Sequence, residues 1–180
     1  VPVHCIPGNH DEPEAMTRVL NGPPFQLGSV ARFPGWIVVM LDSFLAGKAQ
    51  GRLSTGSLAA LEAALRANPQ QHALVCLHHH PIPMHSRWLD QVGLENADEF
   101  FAVLDRHRNV RAVLWGHVHQ VHDTERNGVK LFSTPSACAQ FLPLSNSFAI
   151  DRRPPGYRWL DLNADGTITT EVVWVEGYTP

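Results

Sequence analysis

Gly8-Asn9-His10-Asp11 sets an amide, an imidazole and a carboxylate side by side, directly after the apolar run Val3-His4-Cys5-Ile6. An apolar, β-branched run followed by Pro7-Gly8 reads as a buried strand closing in a tight turn. In open α/β sheets ligands bind at the carboxyl ends of strands, so this turn holds its polar groups where a ligand would sit. The Asn9 oxygen and a neutral His10 nitrogen suit a borderline divalent metal or a phosphoryl oxygen. Asn and Asp are also ordinary turn residues, so the stretch alone is equally compatible with a plain turn.

The rest of the chain adds two more clusters of the same kind. Ala73-Leu-Val-Cys-Leu77 delivers His78-His79-His80-Pro81, and Val110 to Trp115 delivers Gly116-His117-Val118-His119. Eleven histidines in 180 residues is a high count, and six of them fall in or beside these clusters, counting His122. A lone histidine usually reads as a satisfied core residue; grouped histidines at strand ends do not. His117 and His119 are two apart, so in extended backbone they point the same way. They could reach one metal ion, or one ion each of an adjacent pair.

The elements that must position these residues follow from periodicity and punctuation. Pro13 beside Glu12 and Glu14 suits a helix start, and the helix runs through Leu20 to Asn21-Gly22. Val30–Phe33 and Trp36–Leu41 read as a hairpin about Pro34-Gly35, with the second strand apolar on both faces. Ser54 is the expected N-cap of a helix to about Arg66, with Leu58, Leu61 and Leu65 inward. Asn96 with Glu99 resembles a capping box for a helix carrying Phe100, Phe101 and Leu104. Asn127-Gly128 predicts a type I′ hairpin, and Asp165-Gly166 a second. The stretch from Phe141 to Pro155 is polar and Pro-containing, and no element is assigned to it. Strand-helix alternation followed by hairpins predicts a layered α/β fold with a mixed sheet.

Composition bounds the function. With 44% hydrophobic and 17% charged residues the chain is globular rather than disordered. A net charge of -3 supplies no general pull toward nucleic acid or an anionic membrane. Arg152-Arg153 and Arg106 with Arg108 are too short for a nucleic-acid patch and read as solvated surface. No apolar run is long enough for a transmembrane helix. Cys5, Cys76 and Cys138 are odd in number and form no CxxC pair; Cys5 and Cys76 read as small buried hydrophobes, and reduced thiols fit the cytoplasm. The chain has no initiator Met and opens inside an apolar strand, so it reads as lacking its true N-terminus.

Taken together, Gly8-Asn9-His10-Asp11, His79-His80-Pro81 and Gly116-His117-Val118-His119 resemble the later motifs of the calcineurin-like metallophosphoesterases, in the same order. Gln140-Phe141, Phe148-Ala149-Ile150-Asp151, Pro155-Gly156-Tyr157-Arg158-Trp159 and the loop from Pro81 to Asn96 are similar to the bacterial class III 3′,5′-cyclic-nucleotide phosphodiesterases, cyclic-AMP branch. The resemblance implies a layered sandwich of mixed β-sheets flanked by helices, lacking its first strands, with residues 1–180 as the C-terminal portion of one domain. It implies two divalent ions (Mn, Fe or Zn). Asn9, His79 and His117 would hold one of them and His119 the other. It makes His10 the group that contacts the phosphate and protonates the leaving alkoxide. Asn9 and His80 would touch substrate, while His78 would be a neighbour and not a ligand. Asp11 would orient the turn or His10.

The implied reaction is hydrolysis of 3′,5′-cyclic AMP to 5′-AMP by a hydroxide activated between two metals. The family's Asp-x-His and Gly-Asp strand ends, which complete its metal set, have no counterpart in this sequence; about 30 or more residues would be needed to supply them. Two alternatives therefore stand beside the cyclic-AMP reading: a phosphodiesterase or phosphatase of broader specificity, and an inactive, metal-binding fragment. A cyclic nucleotide is the expected partner, with no nucleic acid and no membrane, and the family resemblance allows a homodimer. Trp88 or Phe141 could wall the base of a nucleotide; Trp115 and Trp159 are expected in the core or a pocket wall.

Overall fold

The computed structural model describes residues 1–178, with Ser29 by its backbone alone. The last two residues of the expected 1–180 domain thus lie outside the described residues. In chain order the elements are β1 (Val3–Cys5), α1 (Pro13–Val19), β2 (Phe25–Leu27), β3 (Ser29–Phe33), β4 (Trp36–Met40), α2 (Thr55–Ala67), β5 (His72–Leu77) and α3 (Arg87–Asp90). They continue with α4 (Ala97–Leu104), β6 (Val110–Trp115), β7 (Asp123–Arg126), β8 (Val129–Ser133), β9 (Gln140–Phe141), β10 (Ile150–Asp151), β11 (Gly156–Leu162) and β12 (Ile168–Trp174).

Six strands form one mixed sheet in the order β3-β4-β5-β6-β8-β7. The central four run parallel, and antiparallel β3 and β7 close the two edges. Alternation sorts the side chains: Ile37, Val39, Val75, Leu77, Val113 and Trp115 face one core, where Leu61 and Leu65 of α2 and Phe100 and Leu104 of α4 meet them. Trp36, Leu74, Cys76, Ala112 and Phe132 face the other side, covered by Leu160, Leu162 and Ile168 of the β11–β12 hairpin. Both faces are therefore covered, which is why β4, β5 and β6 read as continuous apolar runs. Trp36 Nε1 donates to the Asn163 carbonyl at 2.8 Å and pins that hairpin down.

Ser54 caps α2 as expected, accepting from the Ser57 amide at 2.9 Å. The hairpin about Asn127-Gly128 forms with both residues at positive φ, 53° and 81°. Among the described residues no helix is long and apolar enough to cross a membrane.

Several expectations are corrected. β1 is not buried: it pairs only with β2, in parallel, and Val3 is 40% exposed, because a two-stranded sheet has no layer over its second face. Asn96 does not cap α4. Its Oδ1 accepts from the Leu53 amide (3.0 Å) and its Nδ2 donates to the Leu53 carbonyl (2.9 Å), with a longer 3.4 Å contact from Nδ2 to Glu99 Oε2, so the acceptor oxygen is spent across the fold and caps no amide of the helix. The second hairpin turns through Asn163 to Thr167 rather than through a two-residue type I′ turn. Cys5 is only half-buried, and Trp159 is 59% exposed on β11. The unassigned stretch after Phe141 is a loop closed by the short β9–β10 pair.

Candidate metal centre and its cavity

The carboxyl ends of β5 and β6 are adjacent in the sheet, so His78–His80 and Gly116–His119 emerge side by side. Asn9 arrives from the separate β1–β2 pair. Its Oδ1 lies 3.1 Å from His78 Nε2 and 3.1 Å from His117 Nδ1, and those two nitrogens are 3.2 Å apart. Three potential ligand atoms thus form a nearly equilateral triangle. Around a metal with ligand bonds near 2.0–2.1 Å, neighbouring ligand atoms sit roughly 3.3 Å apart, so the triangle has the dimensions of one face of a coordination shell. His78, His79 and His117 offer ligand atoms all within 4.8 Å of one another, a cluster that could hold a metal ion.

His79 is fully buried, and its Nδ1 is 2.8 Å from the hydroxyl of Ser43, which is also fully buried. With Nδ1 engaged, its Nε2 is left buried and, among the described residues, without a partner. Orphaned buried ring nitrogens and an orienting hydrogen bond on the opposite nitrogen are what a ligating imidazole requires. Two glycines let these rings in. A Cβ at Gly8 would stand 2.6–2.9 Å from the His78 ring, and one at Gly51 would stand 2.1 Å from His79 Nδ1.

Electrostatics agree. Burial, reinforced by the neighbouring imidazoles, pushes His79 down to about 3 and His117 to about 2. Burial likewise holds His78 and His80 at about 4. His119 is also lowered, mainly by burial. Neutral imidazoles are ligands; imidazolium ions are not.

The expected alignment of His117 with His119 does not occur. Gly116–His119 is a tight turn, with the Val118 amide donating to the Gly116 carbonyl at 2.6 Å, and His117 and His119 take φ of 64° and 48°. Positive φ in non-glycine residues is strained, and such strain concentrates at functional sites. It swings His117 to Asn9 while His119 Nδ1 donates to the Ala139 carbonyl at 2.8 Å. Val118, between them, is fully buried.

These groups open on a cavity of about 330 Å³ lined by Asn9, His10, Asp11, His78, His117 and His119 on its polar side. Trp88, Leu89, Val92, Phe141 and Phe148 line the remainder. His10 is exposed at this cavity and makes no part of the triangle. Asp11 Oδ2 accepts from the Gly8 amide at 2.7 Å, tying the turn shut. His80 lies behind, buried and stacked on His117 with centroids 5.6 Å apart. It lines a neighbouring depression with Asp90 and Gly93.

Of the residues singled out in the sequence, the structure brings Asn9, His79 and His117 together and adds His78, which sequence reasoning left as a neighbour. Ser43 and Gly51 were not singled out. Ser43 carried a weak signal, as a polar residue at the end of β4 on the same sheet edge; Gly51 carried none.

Comparison with known proteins bears on the same residues. The family described as Calcineurin-like phosphoesterase matches residues 1–121, which include all three clusters. The 3′,5′-cyclic adenosine monophosphate phosphodiesterase CpdA of Pseudomonas aeruginosa is 39% identical over 175 residues, 97% of this chain and 64% of that protein. The protein of the same name from Escherichia coli K12 is 43% identical over 173 residues, 95% of this chain and 62% of that protein. The chain therefore spans a little under two thirds of the length of these curated relatives. Among solved structures, a dimetal phosphatase from Danio rerio superposes with a TM-score of 0.51 at 16% identity, over 72% of this chain and 55% of that one. GAP50, the anchor in the inner membrane complex of Plasmodium, superposes at 0.55 with 14% identity, over 84% and 51%. At such identities the likeness is one of fold alone.

Proposed function

The chain belongs to the calcineurin-like phosphoesterase family, and from that premise we propose that it acts as a metal-dependent phosphodiesterase converting 3′,5′-cyclic AMP to 5′-AMP. The observation that carries this reading is the 3.1–3.2 Å triangle of Asn9, His78 and His117 opening on a cavity with an apolar far side. The relatives, both cyclic adenosine monophosphate phosphodiesterases by name, suggest the substrate.

On this reading Asn9, His78, His79 and His117 hold one divalent ion, and His119, with Nδ1 already tied to Ala139, offers its other nitrogen to a second. Mn, Fe or Zn all suit imidazole and amide donors. When bound, such cations supply Lewis acidity toward phosphoryl oxygens and water. The chain's own residues do the rest. Asn9 and Asp11 fix the turn that presents His10 to the cavity. His10 gives its proton to the departing 3′-oxygen as water adds to phosphorus, worth about 10²–10⁴-fold in rate. The neutral imidazoles of the cluster take no part in proton transfer. Free Cys5, Cys76 and Cys138 fit a reducing cytoplasm.

A second reading has one observation behind it: among the described residues the cluster contains three imidazoles and no carboxylate. On that reading the chain loads a single ion and turns over nothing. One experiment decides. The protein is loaded with Mn or Zn, metal stoichiometry is measured, and 5′-AMP formation is followed. Two ions and 5′-AMP support the phosphodiesterase; one ion without product supports the binding module. A bis-aryl phosphodiester cleaved faster than cyclic AMP would point to a broader enzyme.

A further inference from the structure

One side of the cavity has no role in the chemistry above. Trp88, Phe141 and Phe148 meet edge to face, with ring centroids 5.0, 5.4 and 5.4 Å apart and interplanar angles of 68–75°. Phe141 in turn stacks on His119 at 4.1 Å and 9°, so the aromatic wall begins where the imidazoles end. Trp88 Nε1 is buried and, among the described residues, has no acceptor, so the ring presents carbon to the cavity. Phe148 is 62% exposed at the cavity, an unusual position for a ring that already has two aromatic neighbours.

The trio is assembled from distant segments and latched. Asp90 accepts from the Met84 amide (2.6 Å) and the Ser86 amide (3.2 Å), fixing α3 and Trp88. The buried Ser86 hydroxyl donates to the Ser145 carbonyl in the loop that carries Phe148. The Leu142 amide closes that loop on Ala149 at 2.8 Å. Such a surface is uncharged and planar-walled.

We propose that Trp88, Phe141 and Phe148 form a nucleobase subsite on which a purine stacks. Its ligand class rests on the cyclic-nucleotide reading, but its geometry does not. Purines are favoured over pyrimidines because two fused rings cover more of the wall. The subsite sets apparent affinity for the nucleotide and leaves the bond-breaking step to the polar side.

The test is equilibrium binding of adenosine and uridine to the intact protein by calorimetry, which needs neither phosphate nor metal. The parent should bind adenosine more tightly than uridine. Phe148→Ala, a truncation of an exposed ring that leaves the core intact, should weaken adenosine roughly tenfold, as expected for one lost base–aromatic contact. Trp88→Phe keeps a ring but narrows the wall, and should weaken adenosine several-fold. A kinetic arm asks whether Phe148→Ala raises KM for cyclic AMP with little change in kcat. Equal binding of adenosine and uridine by the parent, or unaltered adenosine binding by both variants, overturns the subsite. Adenosine binding without cyclic-AMP hydrolysis would uphold the subsite and fail the phosphodiesterase reading; hydrolysis without adenosine binding would do the reverse.

Discussion

Gly51→Ala is the sharpest probe of the proposed metal centre, because it moves the proposed ligand His79 without removing it. The added Cβ would lie 2.1 Å from Nδ1 and 2.3 Å from Cγ of His79, where ordinary contact begins at 3.4 Å. The backbone cannot yield easily: the Gly51 amide donates to the Gly93 carbonyl (3.1 Å) and its carbonyl accepts from Glu95 (2.8 Å). The ring must therefore move by roughly 1 Å or more, breaking its 2.8 Å bond to Ser43 in a fully buried site. Overpacking costs about 1–3 kcal/mol and the lost hydrogen bond about 1 more. At about 2–4 °C per kcal/mol for a chain of this size, Tm should fall by roughly 4–16 °C. A ligand displaced by that distance leaves coordination altogether, so zinc affinity should fall at least as far as the roughly 10–100-fold seen when an orienting partner is lost. The assay is chelator competition for zinc, run well below both melting transitions. Ser43→Ala, which removes the orienting hydroxyl but opens space, should fall between the parent and Gly51→Ala. A Gly51→Ala protein that melts early yet binds zinc like the parent would refute the reasoning and reduce His79 to a packing residue.

Other outcomes follow from the same geometry. His10→Ala should lower turnover of cyclic AMP by about 10²–10⁴-fold while metal content by elemental analysis stays intact. His117→Ala should lose metal; the opposite pattern would reverse the two roles. Burial holds His78, His79, His80 and His117 well below the ordinary histidine value, at about 4, 3, 4 and 2. The unfolded chain takes up protons below about 6.5 that the folded chain refuses, so metal-free stability should be full above that pH and decline as pH falls toward 4. Urea midpoints at several pH values across that window check this, and a flat profile contradicts it. Asn96→Ala leaves the Leu53 amide and carbonyl unpaired in a buried setting and should cost about 2–4 kcal/mol in urea unfolding.

Much of the fold was legible because its signals are local. Apolar runs marked β4, β5 and β6, Ser54 marked the start of α2, and Asn127-Gly128 marked a hairpin, all from neighbours within a few residues. The loop after Phe141 was not legible, since its two-residue strands carry too short a pattern. Asn96 misled for the opposite reason: a good local capping signal lost to Leu53, a partner 43 residues away. The histidine clusters and their strand ends were likewise visible, because a strand's end and its polar residues lie next to each other in the chain.

What the amino-acid order determined by itself was the inventory: an amide and two groups of imidazoles, each delivered to the carboxyl end of a strand. Which of them meet was decided only in three dimensions. Asn9 finds His78 across 69 positions and His117 across 108, and no local pattern encodes contacts at that range. His117 and His119 part company because a strained turn replaces the extended backbone that would have aligned them. Side-chain direction at a strand's end depends on a few dihedral angles that tertiary packing sets, and those angles decided which polar side chains meet.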